Sequence, residues 1–425
     1  MVPEFRNSFN RRFEQGSYAA LLADLDRQAG THVGFRVAET PCFFARELMD
    51  EIVEAGIALT RQLLTDPVYL AASLQAIPEA YRLPSSSPHP HFMTADFGLV
   101  RLPDGRYAPR LVELQAFPSV FGFQALLGHA YRRHYQMDPS LPYFLGGHTE
   151  ESFWELFRRV VVGEHDPEEV VLAEVHPEQQ KTLPDFLLTA KRLGISVVDA
   201  TQLVASRSGG RTLLQYRKDG KLLPVRRIYN RVIVDEVIQK GITLPFDYRD
   251  DLDVEWAGHP NWYFQISKFS IPFLRHSTVP EAVFLDAWWK GAGSAELHGD
   301  REKVLLKPLF SFAGQGIVFA PTDEQLRAIP AARQHEYMLQ KRMDFAPVIE
   351  TPFGPTQAEI RILYLWPDPP RPDKAGPVIP GPDKPALEAK MEPVLSLVRL
   401  GRGKMMGVDH NRNQEWVGAS AAYLV

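Results

Sequence analysis

The chain has 425 residues, 45% of them hydrophobic and 23% charged, enough for about two or three domains and a sizeable core. A formal net charge of −5 gives no electrostatic case for nucleic acid or an anionic membrane as main partner, and a single cysteine, Cys42, excludes an intramolecular disulfide and a cysteine-rich zinc site. The opening stretch scatters charges with no apolar core of signal-peptide length, and no apolar run approaches a membrane span, so a soluble, cytoplasmic protein is expected.

Residues 1–90 read as a helical N-terminal segment. In "ARELMDEIVEAGIALTRQLLTD", Leu48, Ile52, Ile57 and Leu64 fall near helical spacing with charges between them. "LPSSSPHPH", Leu83 to His91, is a breaker-rich connector, which makes His89 and His91 loop residues rather than metal ligands. "HFMTADFGLVRL" and "YAPRLVELQAF" then read as two strands joined by the turn "PDGR". Helices are expected over Phe123 to Tyr135 and Glu150 to Val162. A strand over Val170 to Val175, a helix over Gln179 to Leu193 stopped by Gly194, and a strand over Ile195 to Val198 form a βαβ unit, which implies parallel strands. After a hairpin around "KDGK", "RRIYNRVIVDEVIQKG" reads as a strand feeding a helix, with Arg231 and Asp235 four apart on one helical face. From Val304 strands dominate, with one helix at Asp323 to Ile329. The proline-dense "WPDPPRPDKAGPVIPGPDKP" reads as a solvated loop, and no internal repeat is present.

Chemistry concentrates in four places. In "VLLKPLFSFAGQGIVF", Lys307 stands among Leu305, Leu306, Pro308 and Leu309, and a buried ammonium requires an anion, either a carboxylate of the protein or a ligand phosphate. The following loop, with Ser311, Gly314, Gln315 and Gly316, has free backbone and unobstructed amides suited to phosphate, though no Gly-Lys-Ser/Thr follows; a plain hairpin is the rival. In "HEYMLQKRMDF" a strand over Tyr337 to Leu339 runs into Gln340 and Lys341, a hinge able to meet an adenine edge. Period-two geometry points Glu113 and Gln115 to one face with Asp96 on the partner strand, an oxygen set suited to Mg²⁺; a polar face turned to solvent is the alternative. In "AEIRILYLW", Glu359 and Arg361 share a strand face, as a surface ion pair also does. Arg399 in "LVRLGRGK" is a carboxylate-clamp candidate, and "VDHN", Val408 to Asn411, is a chance likeness to a metal motif.

Together these pieces resemble the ATP-grasp superfamily in the circularly permuted form of eukaryotic glutathione synthetases and glutathionylspermidine synthases. The likeness rests on Asp96-Phe97, Glu113-Leu114-Gln115 and Ser119, on Lys307-Pro308 placed far downstream, on "SKFSIPFL" at Ser267 to Leu274, on "LQKR" at Leu339 to Arg342, and on "WVGASAAYLV", which resembles an alanine-rich loop. It departs at Gln115, where the family has asparagine, at Thr94, where glutathionylspermidine synthases have a substrate arginine, and at Ser311, where glutathione synthetases have a metal-binding glutamate. No amidase-type domain is found.

The resemblance implies an α+β, circularly permuted ATP-grasp fold. Its parts would be a helical N-terminal segment (1–90), an ATP-grasp part with the metal hairpin (91–164), an inserted βαβ, pre-ATP-grasp-like substrate domain (165–270), and an ATP-grasp part with lysine strand, lid loop and adenine hinge (271–425). It implies a ligase using ATP and Mg²⁺ to join small-molecule carboxylate and amine substrates through an acyl phosphate, peptide-like or polyamine substrates being the family's habit. The alternatives are a degenerate nucleotide-binding scaffold and a kinase releasing a phosphorylated product; oligomeric state is not set. By this analogy Mg²⁺ sits on Asp96, Glu113 and Gln115. Lys307 and Lys268 meet phosphate, and the 311–316 loop is a lid. Gln340 and Lys341 face adenine, Glu359 holds ribose, and Arg361 stabilises the transferring group. Ser119, Arg231, Asp235 and Arg399 meet substrate.

Overall fold

The structure, a computed structural model, describes residues 1–85, 87–310, 315–369, 390–403, 406, 411 and 413–425. Helices Pro3–Arg12 and Gln15–Ala29 open the chain, the second ended by Gly30 in the left-handed region (φ 73°). They lead to a short strand, β1 (Cys42–Phe44), and then to helices Arg46–Thr65 and Pro67–Gln75. The N-terminal segment is therefore helical but not free-standing: β1 pairs in parallel with the last strand of the chain, Cys42 against Ala422. On the Arg46–Thr65 helix the buried stripe is Met49, Ile52, Val53, Gly56, Leu59 and Leu63. Of the expected stripe only Ile52 is buried; Leu48, Ile57 and Leu64 flank it. Gly56 sits at the centre of the buried stripe because the helix approaches β16 closely there. A Cβ there would overlap the Tyr364 hydroxyl, which donates to the Val53 carbonyl at 2.9 Å.

The carboxylate hairpin forms as expected, with β2 (Phe92–Arg101) antiparallel to β3 (Tyr107–Gln115). Helices Phe121–His134 and Glu150–Val161 follow. The expected βαβ unit is β4 (Val170–Glu174), helix Leu183–Leu193 closed by Gly194, and β5 (Ser196–Asp199). Next come β6 (Val204–Ser208), β7 (Arg211–Lys218) and β8 (Lys221–Val225), the last two joined through Asp219 and Gly220, both at positive φ as a tight hairpin turn demands. Strands β9 (Arg227–Asn230) and β10 (Glu255–Ala257) complete an all-parallel sheet in the order β10-β9-β4-β5. Between them lies helix Val234–Gln239.

The chain then builds a second four-stranded sheet from β11 (Ala282–Phe284), β12 (Val304–Pro308), β13 (Val318–Phe319) and β14 (Tyr337–Lys341), ordered β11-β14-β12-β13 and antiparallel throughout. Helix Asp323–Arg327 precedes β14. The chain returns to the sheet of β1, β2 and β3 with β15 (Pro347–Ile349), β16 (Thr356–Leu365), β17 (Glu392–Gly401) and β18 (Gly418–Leu424). The order there is β1-β18-β17-β16-β2-β3, with β15 against β16. The alanine-rich "WVGASAAYLV" is thus mostly a buried strand rather than a loop. Its small side chains sit within the sheet, and the Ser420 hydroxyl donates to the Thr40 carbonyl at 2.7 Å, so packing overrides alanine's weak strand preference.

Period two gives β16 two characters. Ile360, Ile362 and Tyr364 pack with Met93, Ala95 and Phe97 under the Arg46–Thr65 helix, while Leu363 and Leu365 pack on the opposite face with Phe121 and Phe157. That second face carries Glu359 and Arg361 at its other end, so one strand face passes from core to a charged floor. Among the described residues no helix is long and apolar enough to cross a membrane. Gly56→Ala is expected to lower stability to urea by about 1–3 kcal/mol through overpacking against Tyr364. The loss in Gly56→Ala/Tyr364→Phe should be smaller than the sum of the two single losses.

Candidate functional site

Register alone assembles a charged row across four adjacent strands. Arg399 of β17 faces Glu359 of β16, Arg361 of β16 faces Asp96 of β2, and Asp96 faces Glu113 of β3. Arg361 grips Asp96 with both arms, Nε to Oδ1 at 2.6 Å and Nη2 to Oδ2 at 2.7 Å. Arg399 donates to Asp96 and also pairs with Glu359. Asp96 is only 1% exposed. Burial opposes its charge, but Arg361 and Arg399 more than offset this and hold the carboxyl below its ordinary range. Glu359 shares Arg399 and moves the other way, raised by burial and by the neighbouring Asp96 and Glu113.

Around this row, Glu113 accepts from the Gln115 amide at 3.1 Å and stands 3.8 Å from the Lys268 ammonium. Gln115 Oε1 and the Ser119 hydroxyl each accept from Arg361 at 3.4 Å. Lys268 is buried at the start of a 3₁₀ turn, Lys268–Phe273, capped by the Ser267 hydroxyl.

Lys307 approaches from the other sheet. It lies in β12 opposite Met338 and is 6% exposed. Burial lowers its pKa from 10.5 to about 8, Lys268 adds to the drop, and Glu113 and Glu359 oppose it. No carboxylate among the described residues pairs with it directly. Between the two sheets lies a cleft of about 590 Å³, with Glu113, Lys268, Lys307, Glu359, Arg361 and Arg399 in its wall and Phe319, Met343 and Phe345 as apolar surface.

The sequence candidates divide accordingly. Asp96, Glu113, Gln115, Ser119, Lys268, Lys307, Glu359, Arg361 and Arg399 come together. Ser311 and Gly314 lie outside the described residues, as do residues 370–389 of the proline-dense stretch and Val408 to His410. Gln315 and Gly316 form an exposed turn, with Gly316 at φ 72°. Gln340 and Lys341 also line the cleft, but as part of the strand rather than a hinge after it, because β14 stays paired to Ala282 and Val304 through both residues. Gln340 is buried with its amide nitrogen unbonded, and Lys341 pairs outward with Glu296.

Arg231 and Asp235 do not share a helical face. β9 ends at Asn230, whose side chain accepts from the Val232 amide, and the helix begins only at Val234. Arg231 instead donates to the Pro118 and Ser119 carbonyls, the latter at 2.7 Å, and Asp235 accepts from the Tyr263 hydroxyl at 3.0 Å. His89 and His91 are buried: one ring stacks on Trp366, and the other meets Asp368 at 2.9 Å. Cys42 is also buried, which pushes its thiol up to about 11. Phe345 was missed. Its signal is Gly98, a glycine within a strand, where a Cβ would overlap the Phe345 ring.

No family model and no curated protein matches the sequence. Among solved structures, the chain is similar to a glutathione synthetase-like effector from Globodera pallida, described in its apo form. The TM-score is 0.56 and the identity 13%, over 97% of this chain and 98% of that one. The likeness is one of fold alone: a mixed α+β architecture similar to that of the glutathione synthetase-like effector.

The Lys307 environment predicts a pH-dependent penalty. Its folded pKa is depressed, so the charged form disfavours folding; the cost is fully present below about pH 8 and fades as pH rises toward 10.5. That shift corresponds to about 3 kcal/mol. Lys307→Met is expected to raise the thermal midpoint of the ligand-free protein by a few degrees at neutral pH, with the gain shrinking at alkaline pH in differential scanning calorimetry.

Proposed function

We propose that the chain is an ATP-dependent carboxylate–amine ligase, with the cleft between the two sheets as its nucleotide and reaction site. The observation that carries this reading is Lys307: a buried ammonium, facing an open cleft, with no directly paired carboxylate among the described residues. A phosphate oxygen is the anion that such a position fits. The fold-level likeness supports the reaction class, as does the chain order that places the Glu113 strand far ahead of the Lys307 strand, the order of a permuted ATP-grasp arrangement.

Lys307 and Lys268 would pair with phosphate oxygens, and Arg361, fixed by Asp96, would neutralise charge on the group in transfer. Among the described residues no three His, Cys, Asp or Glu side chains could hold a metal unaided. The carboxylates in the cleft wall nevertheless fit Mg²⁺, which commonly takes one or two protein oxygens and shares the rest with phosphate and water. Glu113 and Glu359, with the Gln115 carbonyl, are the residues that would hold it. Asp96, whose two oxygens accept from Arg361 and Arg399, would chiefly hold those guanidiniums in place beside the ion. Bound there, Mg²⁺ would supply neutralisation of phosphate charge. The chain's own part is to orient carboxylate and γ-phosphate, and to keep water from the acyl phosphate until the amine attacks.

A second reading, a nucleotide-binding module without ligation, is favoured by Gln115, whose amide nitrogen faces Glu113 and whose oxygen is engaged by Arg361. Calorimetric titration of MgATP separates these outcomes. Binding lost in Lys307→Ala, with metal dependence lost in Glu113→Ala, supports the cradle. Acid- and amine-dependent ADP release then supports ligation, whereas binding without turnover supports the module. No binding to the wild type contradicts both.

A further inference from the structure

We infer that the small aromatic recess beside the cleft is an ammonium subsite, the seat of the amine substrate in the proposed ligation. The inference rests on that reading for the amine's role, though not for its binding. The recess is bounded by Phe117, Asp235, Tyr263 and Phe310, and it shares Gln115 and Lys268 with the cleft, so a group held there lies next to the reacting end of the site. Its free space is about 20 Å³, room for one water-sized group. An –NH₃⁺ head on an unbranched stem is of that size; a guanidinium or a carboxylate is larger.

The charge and the walls agree with the size. Asp235 is half-buried, accepts from the Tyr263 hydroxyl at 3.0 Å, and pairs with no cation among the described residues. Lys268, which also lines the recess and acts on Asp235 through its charge, is at ion-pair range of Glu113. Burial raises the Asp235 pKa, and only the Tyr263 bond and the Lys268 charge work against that rise. An anion so placed is stabilised by an incoming cation. The Phe117 and Tyr263 rings meet edge to face, with centroids 5.5 Å apart, and Phe310 completes an aromatic lining, so rings as well as a carboxylate border the space. Arg231 also lies over Phe117, at 5.7 Å, but it is turned to the Pro118 and Ser119 carbonyls and does not enter the recess.

The test is ligand-observed NMR at neutral pH on the full chain, with n-propylammonium as probe, n-propanol as neutral isostere and propionate as anionic control, beside MgATP titration of the same samples. The expected result is saturable propylammonium binding, at least about tenfold tighter than propanol, weakened about tenfold or more in Asp235→Asn while MgATP affinity stays unchanged. Phe310→Leu, which keeps the carboxylate and removes a π-face, should weaken the amine as well. Equal binding of propanol, or undiminished amine binding in Asp235→Asn, overturns the subsite. Should Asp235→Asn not fold, Phe310→Leu decides, and unchanged amine affinity there overturns it. A wild type that binds propylammonium but not MgATP would overturn the ligase reading and leave the subsite standing.

Discussion

The site depends on how charge is neutralised where Asp96 meets Arg361 and Arg399. A carboxylate at 1% exposure cannot stay ionised alone, and two guanidiniums at the end of a sheet repel each other without it. Each therefore makes the others tolerable. Because the three residues sit on β2, β16 and β17, their attraction also fixes the adjacency of strands from distant parts of the chain. Glu359 and Glu113 flank the three and share the same guanidiniums, Glu359 with Arg399 and Glu113 with Arg361. What results is a rigid floor whose internal charges are already paired.

Lys307 is the exception. It comes from a separate sheet and sits over that floor, so the nearest carboxylates raise its pKa without pairing with it. The contrast between a satisfied floor and an unsatisfied roof gives the cleft its polarity. An anion with several oxygens is complementary to Lys307, and a hard cation between that anion and Glu113 or Glu359 is complementary to the floor. Asp235 reverses the sign a short way off, which gives the region two charge preferences separated by Gln115 and Lys268.

Much of this was legible in the sequence because it is local. The β2–β3 hairpin, its turn and the convergence of Asp96, Glu113 and Gln115 follow from period two, and a lysine in an apolar run announces its own burial. Less legible were features set by partners far along the chain. That Asp96 accepts from two arginines requires β16 and then β17 to lie beside β2 in the sheet, which spacing alone does not reveal. Gln340 and Lys341 stay in a strand because Ala282 and Val304 hold their backbone. Arg231 falls short of the helix because the Asn230 side chain turns the chain first. On the Arg46–Thr65 helix apolar residues cover more than one face, and which of them is fully buried is set by the close approach of Tyr364 to Gly56.

The central claim is that Lys307 awaits an anion from a ligand. Its most direct test is NMR titration of the Lys307 ammonium in protein carrying ¹³C-labelled lysine, without and with MgATP, assigned by Lys307→Arg. Without nucleotide the group should titrate near 8. With nucleotide its pKa should rise toward or beyond the ordinary lysine value, since the charged form then has a partner. An unchanged pKa in the presence of bound nucleotide would contradict the account.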